Sequence, residues 1–308
     1  MPHIDPGFSA VAQPTVELVL DARIRDLGDG FTVRRLLPSA VRRMVGPFIF
    51  FDHFGPVQLA PGRGLDVRPH PHINLATVTY LFEGAILHRD SLGSEQLITP
   101  GAVNWMTAGR GIVHSERSPA TARKTGARMH GLQLWLALPL AHEQVEPSFR
   151  HHAEEEVPRV DLSGARLRVV AGSAYGVTSP VQTLSALFYV DAELAAAAEL
   201  DLPDAYAARA AYVVDGSISC DGRRHGAGTM VVFREHAAAR IAASEATRVM
   251  LLGGAPLDGE RHVFWNFVSS SKERIGEAKL AWTERRFPMV PGDENEFIPL
   301  PVEIEKPR

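Results

Sequence analysis

The sequence predicts an all-β protein made of two tandem β-barrels, with one short helix and an irregular tail towards its C-terminus. Short segments rich in β-branched and aromatic residues recur along the 308 residues, and turns that draw on 26 glycines and 22 prolines separate them. Such even spacing of short strands is typical of sandwiches and small barrels. Residues 212–218 (YVVDGSI) also resemble residues 80–86 (YLFEGAI), which indicates that one barrel is duplicated.

The first barrel is predicted within residues 1–150. Residues 1–15 are expected to form a loose arm, and residues 52–56 (DHFGP) a turn, because a Gly-Pro pair ends that segment. Residues 90–94 are expected to form a hairpin turn between two strands. The predicted strands of this half are residues 16–20, 31–37, 46–51, 75–82, 85–89, 95–98, 103–106, a strand that carries residues 114–116, and 131–136.

The second barrel is predicted within residues 151–308, after a polar and acidic stretch at residues 140–160 that suits a connection between domains. One helix is expected at residues 269–282, since three serines can cap its start and apolar residues recur on one face. Residues 287–301 are rich in proline and are expected to be irregular. The predicted strands of this half are residues 167–171, 183–190, 211–214, 217–220, 229–233 and 248–252.

Composition and charge restrict the classes of partner. Hydrophobic residues make up 45% and charged residues 22% of the chain, as in soluble globular proteins. The formal net charge of −4 favours neither direct nucleic-acid binding nor binding to an anionic membrane, because both need a basic surface. The chain has one cysteine, Cys220, no secretory signal pattern and no apolar run of membrane length, so a cytoplasmic location is expected.

Two pairs of metal-binding side chains lie on either side of the strongest strand pattern. His70 and His72 are two residues apart in RPHPH, and a similar pair follows in GRGIVHSE. Because residues i and i+2 of a strand point to the same face, each pair is expected on one side of its own strand. Barrel closure would bring the two strands together. The predicted metal ligands are therefore His70, His72, His114 and Glu116.

This ligand set restricts both the metal and its chemistry. Three neutral imidazoles and one carboxylate suit a divalent ion such as Fe(II), Ni, Co, Cu or Zn, and the absence of thiolates argues against a closed structural zinc site. An octahedral Fe(II) with four protein ligands keeps two positions for substrate and O₂. His53, His88 and His130 occur singly, so structural or supporting roles are expected for them. His151 and His152 lie beside the acidic run at residues 154–156 and are expected on the solvated surface.

Several motifs resemble the pirin family, a branch of the cupin superfamily. They are FFDHFGP at residues 50–56, HPH at 70–72, HRDSLG at 88–93, WMTAGRGIVHSE at 105–116 and GLQLW at 131–135, with weaker matches in WNFV at 265–268 and FIPLP at 297–301. The resemblance implies a bicupin of two jelly-roll-like barrels that binds one metal ion, usually iron, in its N-terminal barrel through the same four residues. Some bacterial members have quercetin 2,3-dioxygenase activity, whereas an animal member is a nuclear, iron-dependent transcriptional co-regulator.

One departure from the family pattern concerns the residues after HPH. Pirin-like sequences typically continue with Arg-Gly-Phe-Glu, whereas this chain has Ile73, Asn74, Leu75 and Ala76. The departure implies that Ile73 and Ala76 remove a guanidinium and a carboxylate from the site, while Glu116, in the later family segment, still completes the ligand set. With that glutamate missing, Glu116 is also the candidate catalytic base. The sequence favours a metal-dependent dioxygenase of a flavonol-like or other enolisable small molecule. Two alternatives stay open: a non-catalytic, iron-dependent regulator that binds a protein partner, and a degenerate cupin that serves as a scaffold.

Overall fold

The computed structural model describes residues 13–26 and 31–301, which form twenty-five β-strands and two α-helices. The predicted all-β class with two barrels, a C-terminal helix and an irregular tail is confirmed. Most of the predicted loose arm at residues 1–15 lies outside the described residues. No helix among those described is long and apolar enough to span a membrane.

The first half contains twelve strands and one helix. They are β1 (Val16–Asp21), β2 (Arg23–Asp26), β3 (Thr32–Leu37), β4 (Phe48–Leu59), β5 (Asp66–His72), β6 (Leu75–Glu83), β7 (Ile86–Asp90), β8 (Glu95–Ile98), β9 (Val103–Thr107), β10 (Ile112–Arg117), α1 (Ala120–Thr125), β11 (Ala127–Ala137) and β12 (Ser148–His152). Short 3-10 turns at Leu140–His142 and Glu154–Glu156 flank β12.

The second half contains thirteen strands and one helix. They are β13 (Arg159–Leu162), β14 (Ala165–Ala174), β15 (Val177–Thr178), β16 (Leu187–Leu194), β17 (Glu199–Asp201), β18 (Ala208–Asp215), β19 (Ser217–Cys220), β20 (Arg223–Gly226), β21 (Thr229–Phe233), β22 (Arg240–Ala243), β23 (Thr247–Gly254), β24 (His262–Phe264), β25 (Phe267–Ser269) and α2 (Lys272–Thr283).

The two barrels have the same strand topology. The large sheets run β12-β9-β6-β11-β4-β3-β2 and β1-β21-β18-β23-β16-β14-β13, with β15 added to β14. The small sheets run β5-β10-β7-β8 and β17-β22-β19-β20. Apart from β15, each strand of these sheets has a counterpart in the other barrel, with β6 matching β18, and β5 and β10 matching β17 and β22. This agrees with the duplication that the sequence indicates.

The large sheets pack against each other and form the main core between the barrels. Alternation along β6 places Val78 and Tyr80 in this core, and alternation along β18 does the same for Tyr212 and Val214. The neighbouring residues on each strand point into the barrel of that strand instead. This division of faces decides which side chains of β6 and β18 can reach a site inside a barrel.

The two halves exchange terminal segments. Strand β1 pairs with β21 of the second barrel, and β12 occupies the equivalent edge of the first barrel beside β9. The C-terminal segment returns to the first barrel, where the backbone N–H of Ile298 donates to the carbonyl of Pro69 at 2.9 Å. The division of the chain at residues 150 and 151 stays a prediction, and β12 runs across it.

Helix α2 begins three residues later than predicted, since Ser269 is still part of β25. The hydroxyl oxygen of Ser271 accepts from the N–H of Arg274 at 3.2 Å, which caps the helix as expected. The helix buries Ile275, Ala278 and Trp282. Residues 287–301 contain no helix or strand, in agreement with the predicted irregular tail.

The turn predicted at residues 52–56 is wrong, because this segment is the middle of β4 and pairs on both sides with β3 and β11. Its polar residues are compatible with a buried strand since they have partners: the Asp52 carboxylate accepts two hydrogen bonds from Arg35, at 2.7 and 2.8 Å. The polar stretch at residues 140–160 likewise contributes β12 to a sheet. The polar residues of these two segments led to predictions of a turn and a connection where the structure has parts of β4 and β12.

Candidate metal centre

Three neighbouring strands of the small sheet in the first barrel carry the candidate site. Strand β10 lies between β5 and β7. His114 of β10 is directly opposite His70 of β5, and Glu116 of β10 is directly opposite His88 of β7. Residues that face each other across antiparallel strands have Cβ atoms roughly 5 Å apart, so their side chains meet.

These side chains form two overlapping groups. His70, His72 and His114 offer ligand atoms that all lie within 4.8 Å of one another, and their ring centroids are 4.4–5.1 Å apart. His88, His114 and Glu116 form a second such group. All five side chains are buried. The structure thus gathers the predicted imidazoles, places Glu116 beside His114, and adds His88, for which sequence reasoning expected only a supporting role.

Backbone carbonyls fix the tautomers of two imidazoles. His70 Nδ1 lies 2.8 Å from the carbonyl oxygen of Arg68, and His72 Nδ1 lies 3.1 Å from that of Asn266. A carbonyl oxygen only accepts, so each Nδ1 carries the proton. Each Nε2 then keeps a lone pair, which is the form that binds a metal, and such contacts typically orient ligating histidines.

His114 provides the test of whether these residues fit a cation. Both of its ring nitrogens are buried and have no hydrogen-bond partner. Leaving a buried polar group unpaired costs about 1–3 kcal/mol. A cation among the three imidazoles would satisfy one of these two nitrogens, so the donor set and the unpaired ring together fit a divalent metal ion.

Burial keeps the imidazoles neutral. It lowers the pKa of His70 to about 4, and it lowers the pKa values of His72 and His114 well below the ordinary value. Desolvation disfavours the charged form, and the neighbouring imidazoles act in the same direction. All three rings are therefore available as neutral ligands at neutral pH.

The two remaining groups have polar neighbours that orient them. The hydroxyl of Thr79 donates to Glu116 Oε1 at 2.8 Å, while burial raises the pKa of that carboxyl. His88 Nε2 lies 3.1 Å from Asp90 Oδ2, and its ring stacks on Phe149 with centroids 4.2 Å apart. These contacts leave Nδ1 of His88 as the nitrogen not engaged by Asp90.

The departure from the family pattern lies away from the metal ligands. Ala76 is on the face of β6 that packs in the core between the barrels, and Ile73 packs with Val113 and Phe267 beneath the C-terminal segment. The expectation that these two positions remove polar groups from the site is therefore wrong. Asn74 lies between them at φ 57°, a left-handed conformation that Asn tolerates better than most residues.

The other histidines of the first half lie elsewhere. His53 and His130 form a buried pair at the core between the barrels, and His151 and His152 are half-buried on β12. Among the described residues, no comparable group of histidines and carboxylates occurs in the second barrel. The assignment of particular metal ligands stays a prediction.

Comparison with known proteins identifies the family. The family model described as Pirin matches residues 30–136, and that described as Pirin C-terminal cupin domain matches residues 189–288. A pirin-like protein of Caulobacter vibrioides is 50% identical over 93% of this chain and 99% of its own.

Two solved structures named quercetin 2,3-dioxygenase from Acinetobacter baumannii have the same fold. One has a TM-score of 0.86 and 35% identity, and covers 94% of this chain and 97% of its own. The other has a TM-score of 0.82 and 26% identity, and covers 90% and 99%. With both of its barrels matched by the two family models, this chain belongs to the pirin family of cupin proteins.

Proposed function

We propose that this protein binds one divalent metal ion, Fe(II) in the first instance, and acts as a dioxygenase on quercetin or another enolisable small molecule. The main support for this proposal is that three neutral imidazoles, with nitrogen atoms able to bind a metal, converge beside a buried carboxylate. The Acinetobacter baumannii structure named quercetin 2,3-dioxygenase, at 35% identity over nearly the whole chain, supports the choice of substrate class. Ni, Cu, Co and Zn suit the same donor set.

In this proposal His70, His72, His114 and Glu116 hold the metal. The bound ion supplies a positive centre that stabilises a deprotonated substrate and holds it next to O₂. The imidazoles contribute by being neutral and fixed in orientation, since Arg68 and Asn266 hold two of them through their carbonyls. Little reorganisation is then needed when the ligands engage.

Glu116 is the proposed base. Thr79 donates to its Oε1, which fixes the carboxylate next to His114, so that the carboxylate can take a proton from an enolic hydroxyl. In the described contacts, Gln133 also lies 2.9 Å from the Thr79 hydroxyl. The hydroxyl has one proton, so it can donate to only one of these two oxygens at a time. When the side-chain amide of Gln133 is rotated so that its N–H group donates to the Thr79 oxygen, the Thr79 proton is free to donate to Glu116.

A second candidate function is a non-catalytic regulator whose metal sets its shape for a protein partner. The burial of the site favours it: Glu116 is 8% exposed, His70 is 6% and the other imidazoles are less. Catalysis requires an opening through which the substrate reaches these buried ligands, whereas a structural ion requires none.

Turnover measurements discriminate between these functions. The full chain would be loaded with Fe(II) under low oxygen, checked for metal content, and mixed with quercetin and O₂. The dioxygenase proposal predicts loss of the flavonol absorbance together with release of carbon monoxide. A fully loaded protein that leaves quercetin and a panel of other enolisable phenols unchanged would contradict it and favour the regulator.

A further inference from the structure

The second barrel contains a large cavity that the metal site does not use. Its volume is about 740 Å³, within the range of small-molecule sites. The walls are residues 173–178, 201–206 and 238–240, and Arg209 completes them from β18. Several wall residues, including Asp204, are exposed, so the cavity opens to solvent.

Arg209 is an unusual residue to find in that wall. Its side chain is 0% exposed, and it points the same way as Ala211 and Val213, which belong to the interior core of the second barrel. One guanidinium nitrogen donates to the carbonyls of Arg234 and Ala237, at 3.1 and 2.6 Å. Its Nε and its other terminal nitrogen are buried and have no hydrogen-bond partner.

Among the described residues, no carboxylate lies within ion-pair distance of Arg209 either. Asp204 lies close enough to act on it through space without pairing, and Asp201 is engaged by Arg240 at 2.6 Å. A buried charge without a counter-ion is costly, and such charges are normally paired. Two unused donors and an unpaired positive charge therefore lie buried in the wall of a ligand-sized cavity.

The duplicated topology places this arginine at the equivalent of the metal site. When residues 212–218 are aligned with residues 80–86, Arg209 on β18 corresponds to Thr77 on β6. Thr79, two residues further and on the same face of β6, holds Glu116. The cavity also touches the ends of β17 and β22, the counterparts of β5 and β10. The same end of each barrel thus carries polar groups, a ligand set in one and a guanidinium in the other.

The chemistry of the walls restricts the ligand. A guanidinium with two free donors matches the two oxygens of a carboxylate. The hydroxyls of Tyr175 and Tyr206 donate to backbone carbonyls, at 2.8 and 3.0 Å, so the rings of these tyrosines form apolar parts of the wall. Arg240 neutralises Asp201, so the negative charge of Asp204 is the one at the mouth that disfavours anions of higher charge, such as phosphates. We propose that the second barrel binds a small aromatic monocarboxylate, with Arg209 pairing with its carboxylate group.

Because Arg209 has no exposed surface, the ligand must displace side chains at the floor of the cavity. The connection between β17 and β18 is the longest part of the wall outside the strands, and we expect it to move. Binding should therefore change the environment of Tyr206, which gives a spectroscopic signal independent of calorimetry.

The test is calorimetric titration of the metal-loaded full chain with 4-hydroxybenzoate, repeated after removal of the metal by a chelator. Binding to Arg209 should persist without metal, which separates it from coordination in the first barrel and from the proposed dioxygenase function. We expect affinity to fall about 10- to 100-fold for the neutral analogue 4-hydroxybenzamide, and equally for 4-hydroxybenzoate with Arg209→Met. Arg166→Met, at an exposed position on β14, is the matched control and should bind normally.

Asp204→Asn keeps the proposal falsifiable if Arg209→Met does not fold. Removing that exposed negative charge should tighten 4-hydroxybenzoate binding by about 2- to 5-fold. The proposal is overturned if the wild-type chain does not bind 4-hydroxybenzoate, or if a folded Arg209→Met binds it as the wild type does. It is also overturned if the amide binds equally well, or if Asp204→Asn leaves the affinity unchanged.

Discussion

Glu116 lies directly opposite His88 on the adjacent strand, and these two residues form a group of potential ligands with His114. His70 and His72 form the other group with the same His114. His114 is thus the shared member, and the carboxylate approaches it from the side of β7. A metal that uses all three predicted imidazoles and Glu116 would therefore lie close to His88 as well.

His88 should consequently affect metal affinity. His88→Phe keeps the stack on Phe149 and removes the ring nitrogens, while Asp90 retains the backbone N–H groups of Leu92 and Ser94. We expect metal affinity to fall about 10- to 100-fold, as for other groups that orient or supplement ligands. Competition with a chelator measures the affinity, and His236→Ala, at an exposed position in the second half, is the control. An unchanged affinity would show that His88 only fills space.

His114 should link metal binding to thermal stability. A metal at about 100 times its dissociation constant stabilises the folded state by about 2.7 kcal/mol. For a chain of this size, that corresponds to a rise in Tm of about 5 °C. The wild type should show this rise on metal addition and lose it with chelator, whereas His114→Ala should show neither. A rise in Tm like that of the wild type on metal addition to His114→Ala would contradict the role of His114 as a metal ligand.

Local periodicity and cross-strand register differ in how far a sequence reveals them. The pairing of His70 with His72, and of His114 with Glu116, follows from the two-residue period of a strand, which needs no tertiary information. The place of His88 depends on which residue of β7 faces Glu116, and sequence alone does not determine that register. The same holds for Ala76, whose face on β6 became clear only from the inter-barrel core.

The local sequence pattern also could not predict which barrel a terminal strand joins, or which partner a buried polar residue has. Strand β1 was predicted as a strand, but nothing nearby indicated that it would join the second barrel. Asp52 suggested a turn because its partner, Arg35, lies on another strand. The sequence did not distinguish Arg209 from the other arginines. Its burial without an ion-pair partner, beside a cavity, is evident only in the structure.

Glu116→Gln separates the proton-transfer role of this residue from metal binding. The amide keeps an oxygen for the metal and a group near Thr79, but it cannot accept a proton. We expect quercetin turnover to fall by at least about 100-fold at equal metal content. Elemental analysis of each sample checks that content, and Glu95→Gln, an exposed substitution on β8, is the control. Turnover of Glu116→Gln at the wild-type rate would refute the proposal that Glu116 is the catalytic base.

Contacts of the C-terminal segment should hold in place the strand that carries His114 and Glu116. Arg117, the neighbour of Glu116, pairs with Asp293 at 2.7 Å and with Glu296 at 2.8 Å. The Asp293 side chain is 9% exposed and that of Glu296 is 49%, so the first pair should matter more. We expect Asp293→Ala to speed metal loss to a chelator about 5- to 10-fold, in line with a cost of about 1 kcal/mol. Glu296→Ala should have little effect, and equal rates in both variants would show that the Arg117–Asp293 pair does not hold the ligands of β10 in place.

A buried histidine pair at the core between the barrels gives the final prediction. His53 Nε2 lies 2.7 Å from His130 Nε2 and 3.1 Å from the guanidinium of Arg34, and its Nδ1 lies 2.6 Å from the Tyr212 hydroxyl. Because Arg34 only donates, His53 Nε2 accepts and the proton of His53 is on Nδ1. His130 then donates to His53, and both rings are neutral.

This arrangement makes stability depend on pH. Burial lowers the pKa of His53 to about 2 and that of His130 to about 4, and the positive charge of Arg34 acts in the same direction. An unfolded chain takes up these protons near pH 6.5 and the folded chain does not, so the stabilisation is complete above pH 6.5 and is lost as the pH falls from 6.5 towards 4. The charged groups that face His130 are Arg34, Arg128, Asp215 and Arg248.

We expect the free energy of unfolding of metal-free protein to fall by about 1.4 kcal/mol per pH unit for each of the two histidines in this window. Urea titrations at pH 7, 6 and 5 measure it. His130→Asn retains an amide N–H that can donate to His53 and removes one titrating group, so its slope against pH should be smaller by one proton. The ligand imidazoles titrate in both proteins and cancel in the comparison. Parallel slopes for wild type and His130→Asn would show that His130 takes up its proton at the same pH in the folded and unfolded chains.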